Sequence, residues 1–234
     1  MARRSILRSR YVYAAVFIAL GGLLVKAARD SANLALSIPI LWLALDLFLL
    51  SVAYLAGWWT LFGKTSDGSM RPLRLVLMAP YLALLWTIWG IQERLSGGPA
   101  WNQIVPGIFV GRRCRFEQLP PGTSHVLDFT AEFPGDKNAR RAVKWLSIPV
   151  LDGCAPKPAD YQKGFTFLDG SPESIVYVCC AKGRGRSATF ASALLLKKGI
   201  AYTPEVAIAT VETQRYRASL NNGQIKSLER GDWR

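Results

Sequence analysis

Hydrophobic side chains are concentrated in the first 95 residues, where they form three long runs. Residues 11–25 and 75–92 contain no charged side chain, and residues 31–63 contain only one, Asp46. A helix needs about 20 mostly apolar residues to cross the hydrocarbon core of a membrane. The second and third runs meet this need, and snorkelling of Arg10 and Lys26 can extend the shorter first run. The pattern predicts an all-α transmembrane anchor of two or three helices in residues 1–95.

Asp46 lies near the middle of the second run. A carboxylate at that depth is costly in lipid, so it should face a neighbouring helix or water. We expect an interhelical hydrogen bond. Contact with a substrate or a lipid headgroup is the alternative.

The pattern changes at residues 95–99, a linker that contains two glycines and a proline. The rest of the chain, residues 96–234, is long enough for one compact core and is predicted to be a single domain. Within it, the apolar residues 174–178 predict a buried strand. Residues 187–199 predict a helix, with small residues first, lysines in the last turn and a glycine stop.

The loop between this strand and helix carries the most informative chemistry. A glycine-bearing loop before a helix N-terminus directs backbone N–H groups and the positive end of the helix dipole inward. Such a site binds a phosphate dianion and stabilises a cysteine thiolate at its base. We predict Cys180 as the nucleophile, Arg186 as a bidentate ligand of two phosphoryl oxygens, and Ser187 as a hydrogen-bond donor to the leaving sulfur. The residues predicted to bind phosphate between them are Ala181, Lys182, Gly183, Arg184 and Gly185.

This loop resembles the signature of the cysteine-dependent protein tyrosine and dual-specificity phosphatase superfamily, His-Cys-x-x-Gly-x-x-Arg-Ser/Thr. The similarity extends to residues 101–111 and 125–133, which resemble the first strands of dual-specificity domains, and to residues 217–228, which resemble the closing helix. The resemblance implies an α/β fold, a central twisted sheet flanked by helices, and metal-independent hydrolysis through a phosphocysteine. Cys179 stands where the family usually has histidine, so a pseudophosphatase that only binds phosphate is an alternative.

A general acid is also needed, because the leaving oxygen of a phosphate ester must be protonated. The resemblance implies an aspartate on a loop upstream of the cysteine, and Asp152 lies 28 positions before Cys180. Asp160 competes for this role, but we expect it to cap the helix that begins there. Asp128 is expected to be structural. His125, the only histidine, is expected at the surface or at a strand edge, without a catalytic role.

Charge points to the substrate class. The chain carries a net charge of +13, and a basic domain beside a membrane is attracted to anionic headgroups. Lys182 and Arg184 within the loop resemble lipid-directed members of the superfamily, including phosphoinositide and phosphatidylglycerophosphate phosphatases. Residues 151–164 resemble the acid loop of the latter. We predict a membrane lipid phosphate as substrate, with a phosphoprotein as the alternative. No nucleic-acid partner is expected. No cofactor or metal is expected either, since one histidine and four scattered cysteines form no metal motif.

The side of the membrane depends on the number of spans. Basic residues flank the first run on its N-terminal side and follow the second run, with fewer between the two, which predicts a cytoplasmic N-terminus. Three spans, which we expect, would place the catalytic domain on the far side, periplasmic in a bacterial inner membrane; two would return it to the cytoplasm. The residues compared are Arg3, Arg4, Arg8 and Arg10, then Lys26 and Arg29, then Lys64, Arg71 and Arg74.

Overall fold

The computed structural model describes residues 10–95, 97–170 and 173–234. The chain divides into two compact units. We name the units for the roles that the sequence predicts: the anchor unit contains residues 10–63 and Met70–Gly97, and the catalytic unit contains Lys64–Ser69 and Gly98–Arg234. Three arginines of the basic N-terminal flank, Arg3, Arg4 and Arg8, lie outside the described residues.

The anchor unit is helical, as its apolar runs predict. Helices α1 and α2 are long and apolar enough to cross a membrane. Asn33 caps α2, because its side chain accepts a hydrogen bond from the N–H of Ala35 at 2.9 Å. The third apolar run forms two helices joined at Met78, and the second of them has 17 residues. The helices are α1 (Arg10–Asp30), α2 (Leu34–Ala56), α3 (Pro72–Leu77) and α4 (Ala79–Leu95).

Asp46 makes the interhelical contact that we expected. It is fully buried in α2, and its Oδ2 accepts a hydrogen bond from the backbone N–H of Tyr81 in the first turn of α4, at 3.1 Å. The N–H groups of a helix's first turn have no partner within the helix. The carboxylate therefore joins α2 to the start of α4.

The catalytic unit has the predicted α/β fold, built on a five-stranded sheet of order β1-β2-β5-β3-β4. Strand β1 is antiparallel to β2, and the other neighbouring strands are parallel. The strands are β1 (Trp101–Val105), β2 (Ile108–Arg112), β3 (His125–Thr130), β4 (Lys144–Val150) and β5 (Val176–Cys180). The helices are α5 (Ala139–Ala142), α6 (Pro158–Leu168), α7 (Arg186–Lys197), α8 (Pro204–Gln214) and α9 (Asn222–Glu229).

The core lies around β5 and α7. Every residue of β5 is buried, as expected of a strand inside a parallel sheet. Phe190 of α7 packs on Phe129 and Phe165, with ring centroids 4.7 and 5.4 Å apart. A Cβ on Gly164 would lie 2.5 Å from the Phe190 ring, so only glycine permits this approach of α6 to α7. The packing fixes the strand, the helix and therefore the loop between them.

A short segment before α3, Lys64–Ser69, belongs to the catalytic unit rather than to the anchor unit. The backbone N–H of Ser147 donates to the carbonyl of Ser66 at 2.7 Å, and that of Gly135 donates to the carbonyl of Gly68 at 2.8 Å. Lys64, which the charge count treated as a flanking surface residue, is buried. The unit therefore includes a piece of chain from outside residues 96–234.

His125 differs from its expected surface or strand-edge position. It opens β3, an inner strand, and only 3% of it is exposed. Its ring packs edge-on against Phe167, and Nδ1 is 2.9 Å from the hydroxyl of Ser124. Burial and the nearby Lys144 lower the pKa of its imidazole. It stands at the start of β3, whereas Cys180 stands at the end of parallel β5.

Candidate active site

Cys180 is the last residue of β5, and its thiol is enclosed at the base of the loop that leads to α7. The hydroxyl of Ser187, in the first turn of α7, lies 3.3 Å from Cys180 Sγ. The backbone N–H of Arg113 holds the carbonyl of Cys180 at 2.7 Å. Sheet and helix thus place the Ser187 hydroxyl within hydrogen-bond reach of the Cys180 sulfur.

The loop between β5 and α7 offers backbone hydrogen-bond donors. Within the described part of the chain, the backbone N–H groups of residues 182–185 donate to no acceptor. They precede the N-terminus of α7, whose cap residue Gly185 provides no side-chain hydrogen bond. Unpaired N–H groups before a helix N-terminus form an anion site. A phosphoryl group would supply the missing acceptors.

Gly183 shapes this loop. Its φ of 66° is in the left-handed region, and a Cβ there would lie 2.2 Å from the carbonyl carbon of Gly111 in β2. On the other side, the guanidinium of buried Arg215 donates from Nε to the carbonyl of Gly183 at 3.0 Å and from Nη1 to Asn102 Oδ1 at 2.8 Å. The loop is therefore held between β2 and Arg215.

Arg186 is present in the site, and a carboxylate that the sequence did not predict engages its fork. Nη2 and Nη1 donate to Glu132 Oε1 and Oε2 at 2.7 and 2.9 Å, and Nη1 also donates to the carbonyl of Val150 at 2.7 Å. The bidentate partner of the fork in this structure is the carboxylate of Glu132. Nε is buried and, among the described residues, has no partner. It is the atom of Arg186 that remains for a phosphoryl oxygen.

The charges of this pair stabilise each other. Burial opposes ionisation of both side chains, yet Arg186 holds the pKa of Glu132 below its usual range. Glu132, followed by Asp152, raises the pKa of Arg186 well above its usual value. Both groups are thus charged at neutral pH.

Asp152 lies at the site. It follows β4, its side chain is 70% exposed, and its Oδ1 is 3.4 Å from Arg186 Nη2. Its loop is tied to α9, since Asn221 Nδ2 donates to the carbonyl of Gly153 at 2.7 Å and Gln224 Nε2 donates to that of Cys154 at 3.1 Å. The structure thus places an exposed carboxylate beside Arg186.

Asp160 caps α6, as expected. Its Oδ2 accepts the backbone N–H of Lys157 at 3.0 Å, and it occupies the third position of the helix. Burial raises its pKa, followed by weaker opposing effects of the Lys157 N–H and nearby lysines. Of the two candidate acids, only Asp152 contacts Arg186 among the interactions of the described residues.

Cys179 occupies the position where the resemblance would place histidine. It is buried in an apolar cluster with Val126 and Tyr177. Successive side chains of a strand point to opposite faces, so Cys179 and Cys180 point apart. Burial, and next the carboxylate of Asp128, raise the pKa of the Cys179 thiol well above its usual value. Cys179 is therefore a packing residue.

The two cations of the phosphate loop differ in exposure: Lys182 is exposed and Arg184 is half-buried.

Sequence reasoning missed Glu132 and Arg215 as site residues. Glu132 falls within residues 125–133, which were noted only as a strand and its loop, and nothing local marks it as the partner of Arg186. Within the described ranges, no group of three His, Cys, Asp or Glu side chains is placed to hold a metal ion.

Comparison with solved structures shows the fold. PTPMT1 in complex with PI(5)P is 22% identical, and the match covers 57% of this chain and 94% of that one with a TM-score of 0.51. A mutant form of Tk-PTP is 20% identical, with 57% and 95% covered and a TM-score of 0.51. No protein-family model matches the chain. No curated protein matches it either. The chain therefore shares the α/β fold of these two structures.

Proposed function

We propose that this chain is a membrane-anchored phosphatase that hydrolyses phosphomonoesters through a phosphocysteine. One observation carries the proposal: Cys180 stands at the base of a loop whose N–H groups at residues 182–185 find no acceptor among the described residues. Beside it, the Nε of Arg186 is buried and also has no partner among them. These donors match the non-bridging oxygens of a phosphoryl group and can stabilise their charge as the transition state forms.

In the first step the Cys180 thiolate attacks phosphorus in line with the leaving oxygen. The S–P bond forms while the P–O bond to the alcohol breaks. Loop N–H groups and Arg186 Nε hold the equatorial oxygens. Asp152, in its protonated form, gives its proton to the leaving alcohol.

In the second step the Asp152 carboxylate takes a proton from a water molecule that attacks the phosphocysteine. The S–P bond breaks, inorganic phosphate forms, and the sulfur leaves as a thiolate. Ser187, whose hydroxyl lies 3.3 Å from the sulfur, can donate a hydrogen bond to it. The positive charge of the loop and Arg186 serves a reaction that we propose to be metal-independent, so EDTA should leave the rate unchanged.

The proposed substrate is a membrane lipid phosphate. Two apolar helices long enough to span a membrane support an enzyme that works at its surface. Lys182 and Arg184 add positive charge to the phosphate loop. PTPMT1, which has the same fold, was solved in complex with the phosphoinositide PI(5)P. A lipid that bears a second anionic group beside the hydrolysed phosphate would benefit from the two cations.

Phosphate release by the purified full-length protein tests the proposal. The substrates are vesicles of phosphatidylglycerophosphate or phosphoinositides, phosphotyrosine and phosphoserine peptides, and p-nitrophenyl phosphate. We expect the highest kcat/KM on a vesicle-borne lipid. Preference for a peptide would make the chain a protein phosphatase, and phosphate binding without turnover on any substrate would make it a pseudophosphatase.

Replacement of both Lys182 and Arg184 by alanine tests the lipid preference. The variant should raise KM for the lipid phosphate more than for p-nitrophenyl phosphate, and the difference should shrink as salt screens the charges. Equal losses on both substrates would show that the two residues only stabilise the loop.

We also propose that the catalytic unit lies on the side of the membrane where α2 ends. Segment Lys64–Ser69 follows α2 and is hydrogen-bonded into the catalytic unit, which supports placing both on one side of the membrane. With α1 and α2 as the two spans and a cytoplasmic N-terminus, that side is the cytoplasm, in place of the three-span topology that we expected from sequence. A C-terminal epitope tag should resist protease in right-side-out membrane vesicles. Digestion without permeabilisation would contradict this topology.

A further inference from the structure

Lys64 comes from the chain between α2 and α3, yet its side chain is completely enclosed in the catalytic unit. Its Nζ lies 2.5 Å from Asp128 Oδ2, 2.9 Å from the carbonyl oxygen of Thr130 and 2.6 Å from Thr130 Oγ1. An ammonium group has three N–H donors, and these three acceptors use all of them. The ammonium of Lys64 is therefore fully hydrogen-bonded inside the catalytic unit.

Asp128 completes the arrangement from within β3. Its Oδ1 accepts the backbone N–H of Thr130 at 2.9 Å and the Thr130 hydroxyl at 2.8 Å. Lys64 and Asp128 together therefore fix both the backbone and the side chain of Thr130. Since Thr130 is the last residue of β3, they fix the point at which the following loop begins.

That loop leads directly to the arginine of the phosphate site. Glu132 lies two residues after Thr130, and its carboxylate accepts both the N–H of Ala131 and the fork of Arg186. The carbonyl of Phe129, just before Thr130, also accepts from Arg186 Nη1 at 3.4 Å. Burial raises the pKa of Glu132, and Arg186 and, more weakly, Lys64 lower it.

We propose that Lys64 is a positioning residue for Arg186: it fixes the end of β3, from which Glu132 holds the guanidinium. The chain that leads out of the membrane anchor thus completes the phosphate site. This proposal rests on the proposed function, since a role in positioning Arg186 matters for a reaction at that site.

The test compares variants of the full-length protein. Lys64→Met alone leaves Asp128 buried without a cation and can unfold, so the informative variant also carries Asp128→Asn. The double variant should fold, as judged by its melting curve, and still lose kcat on p-nitrophenyl phosphate by on the order of 10²-fold, with little change in KM, because misplacement of a catalytic group by about 1 Å has that effect. A double variant with wild-type kcat would show a merely structural role and overturn the proposal.

Asp67→Asn is the matched control in the same segment. Asp67 is exposed and forms an ion pair with Arg140, so this variant should keep wild-type kcat. Binding of inorganic phosphate, measured by calorimetry, separates the two proposals. If the wild type binds phosphate without turning over any substrate, the proposed function fails. The positioning role of Lys64 is then tested by the affinity of the variants for inorganic phosphate. The double variant should bind about tenfold more weakly, and unchanged affinity would refute the positioning role.

Discussion

Replacement of Glu132 by glutamine tests the central ion pair of the site. Both partners are enclosed, with the Arg186 side chain 1% and the Glu132 side chain 8% exposed, and two hydrogen bonds of 2.7 and 2.9 Å join them. Removing one charge of such a pair costs about 3–5 kcal/mol, because the other charge stays buried without compensation. Glutamine keeps one acceptor, so we expect a loss near 3 kcal/mol.

The assay is the melting temperature together with kcat on p-nitrophenyl phosphate. For a unit of this size, each kcal/mol lowers Tm by about 3 °C, so the variant should melt about 10 °C lower. Its kcat should fall on the order of 10²-fold, since Arg186 loses the partner that orients it. A double variant with Glu132→Leu and Arg186→Met should recover most of the Tm, because no charge is then left unpaired, while activity is lost together with Arg186. Wild-type Tm and kcat in Glu132→Gln would refute the reasoning.

The contribution of the Glu132–Arg186 ion pair to stability depends on pH with a definite sign. The pKa of Glu132 is lower in the folded protein than its ordinary value of about 4.3. The pair therefore stabilises the fold fully above that ordinary value and loses its effect as pH falls through the folded pKa. The Tm difference between wild type and Glu132→Gln should be full at neutral pH, begin to shrink as pH falls below about 4.3, and disappear only once pH has passed through the lower folded pKa. A difference that grows on acidification would contradict the assignment.

Two further variants test the acid and the loop. Asp152→Asn should slow hydrolysis of alkyl phosphates by about 10²-fold or more and of p-nitrophenyl phosphate much less, because a good leaving group needs little protonation. Asp160→Ala should instead lower stability by about 1 kcal/mol through loss of a helix cap, and the leaving-group pattern in that variant would reverse our assignment. Gly183→Ala should abolish phosphate binding measured by calorimetry, since its Cβ would lie 2.2 Å from Gly111 in a left-handed backbone, and near-normal binding would show that the loop is not held as described.

The elements that are marked by a motif or a pattern of neighbouring residues could be predicted from the sequence. The order Cys180, Gly183, Arg186 and Ser187 between an apolar strand and a small-residue helix carries its own chemistry, so the loop and its place in the fold were predictable. The apolar runs likewise predicted the anchor helices, and the buried carboxylate of Asp46 predicted its interhelical contact. Each of these inferences uses residues that are close in sequence, or the free-energy cost of burying a charged group, which any fold must compensate.

The partners of the phosphate-site residues could not be predicted in the same way. Glu132 is 54 positions from Arg186, and Lys64 is 64 positions from Asp128, within a stretch that reads as a basic membrane flank. No spacing rule connects such residues, since their contact arises only when parallel strands bring their ends to one edge of the sheet. His125 was misplaced for a related reason: a histidine before an apolar run reads as an edge residue, whereas Phe167 of α6 covers it.

The most direct test of the proposed mechanism is a mass measurement on protein quenched with acid during turnover. Wild-type protein should carry one phosphoryl group on the peptide that contains Cys180, and Cys180→Ser should show neither the adduct nor turnover while it still binds inorganic phosphate, because the loop N–H groups and Arg186 remain. Turnover by Cys180→Ser, or a phosphoryl group on any other residue, would contradict catalysis by the Cys180 thiolate.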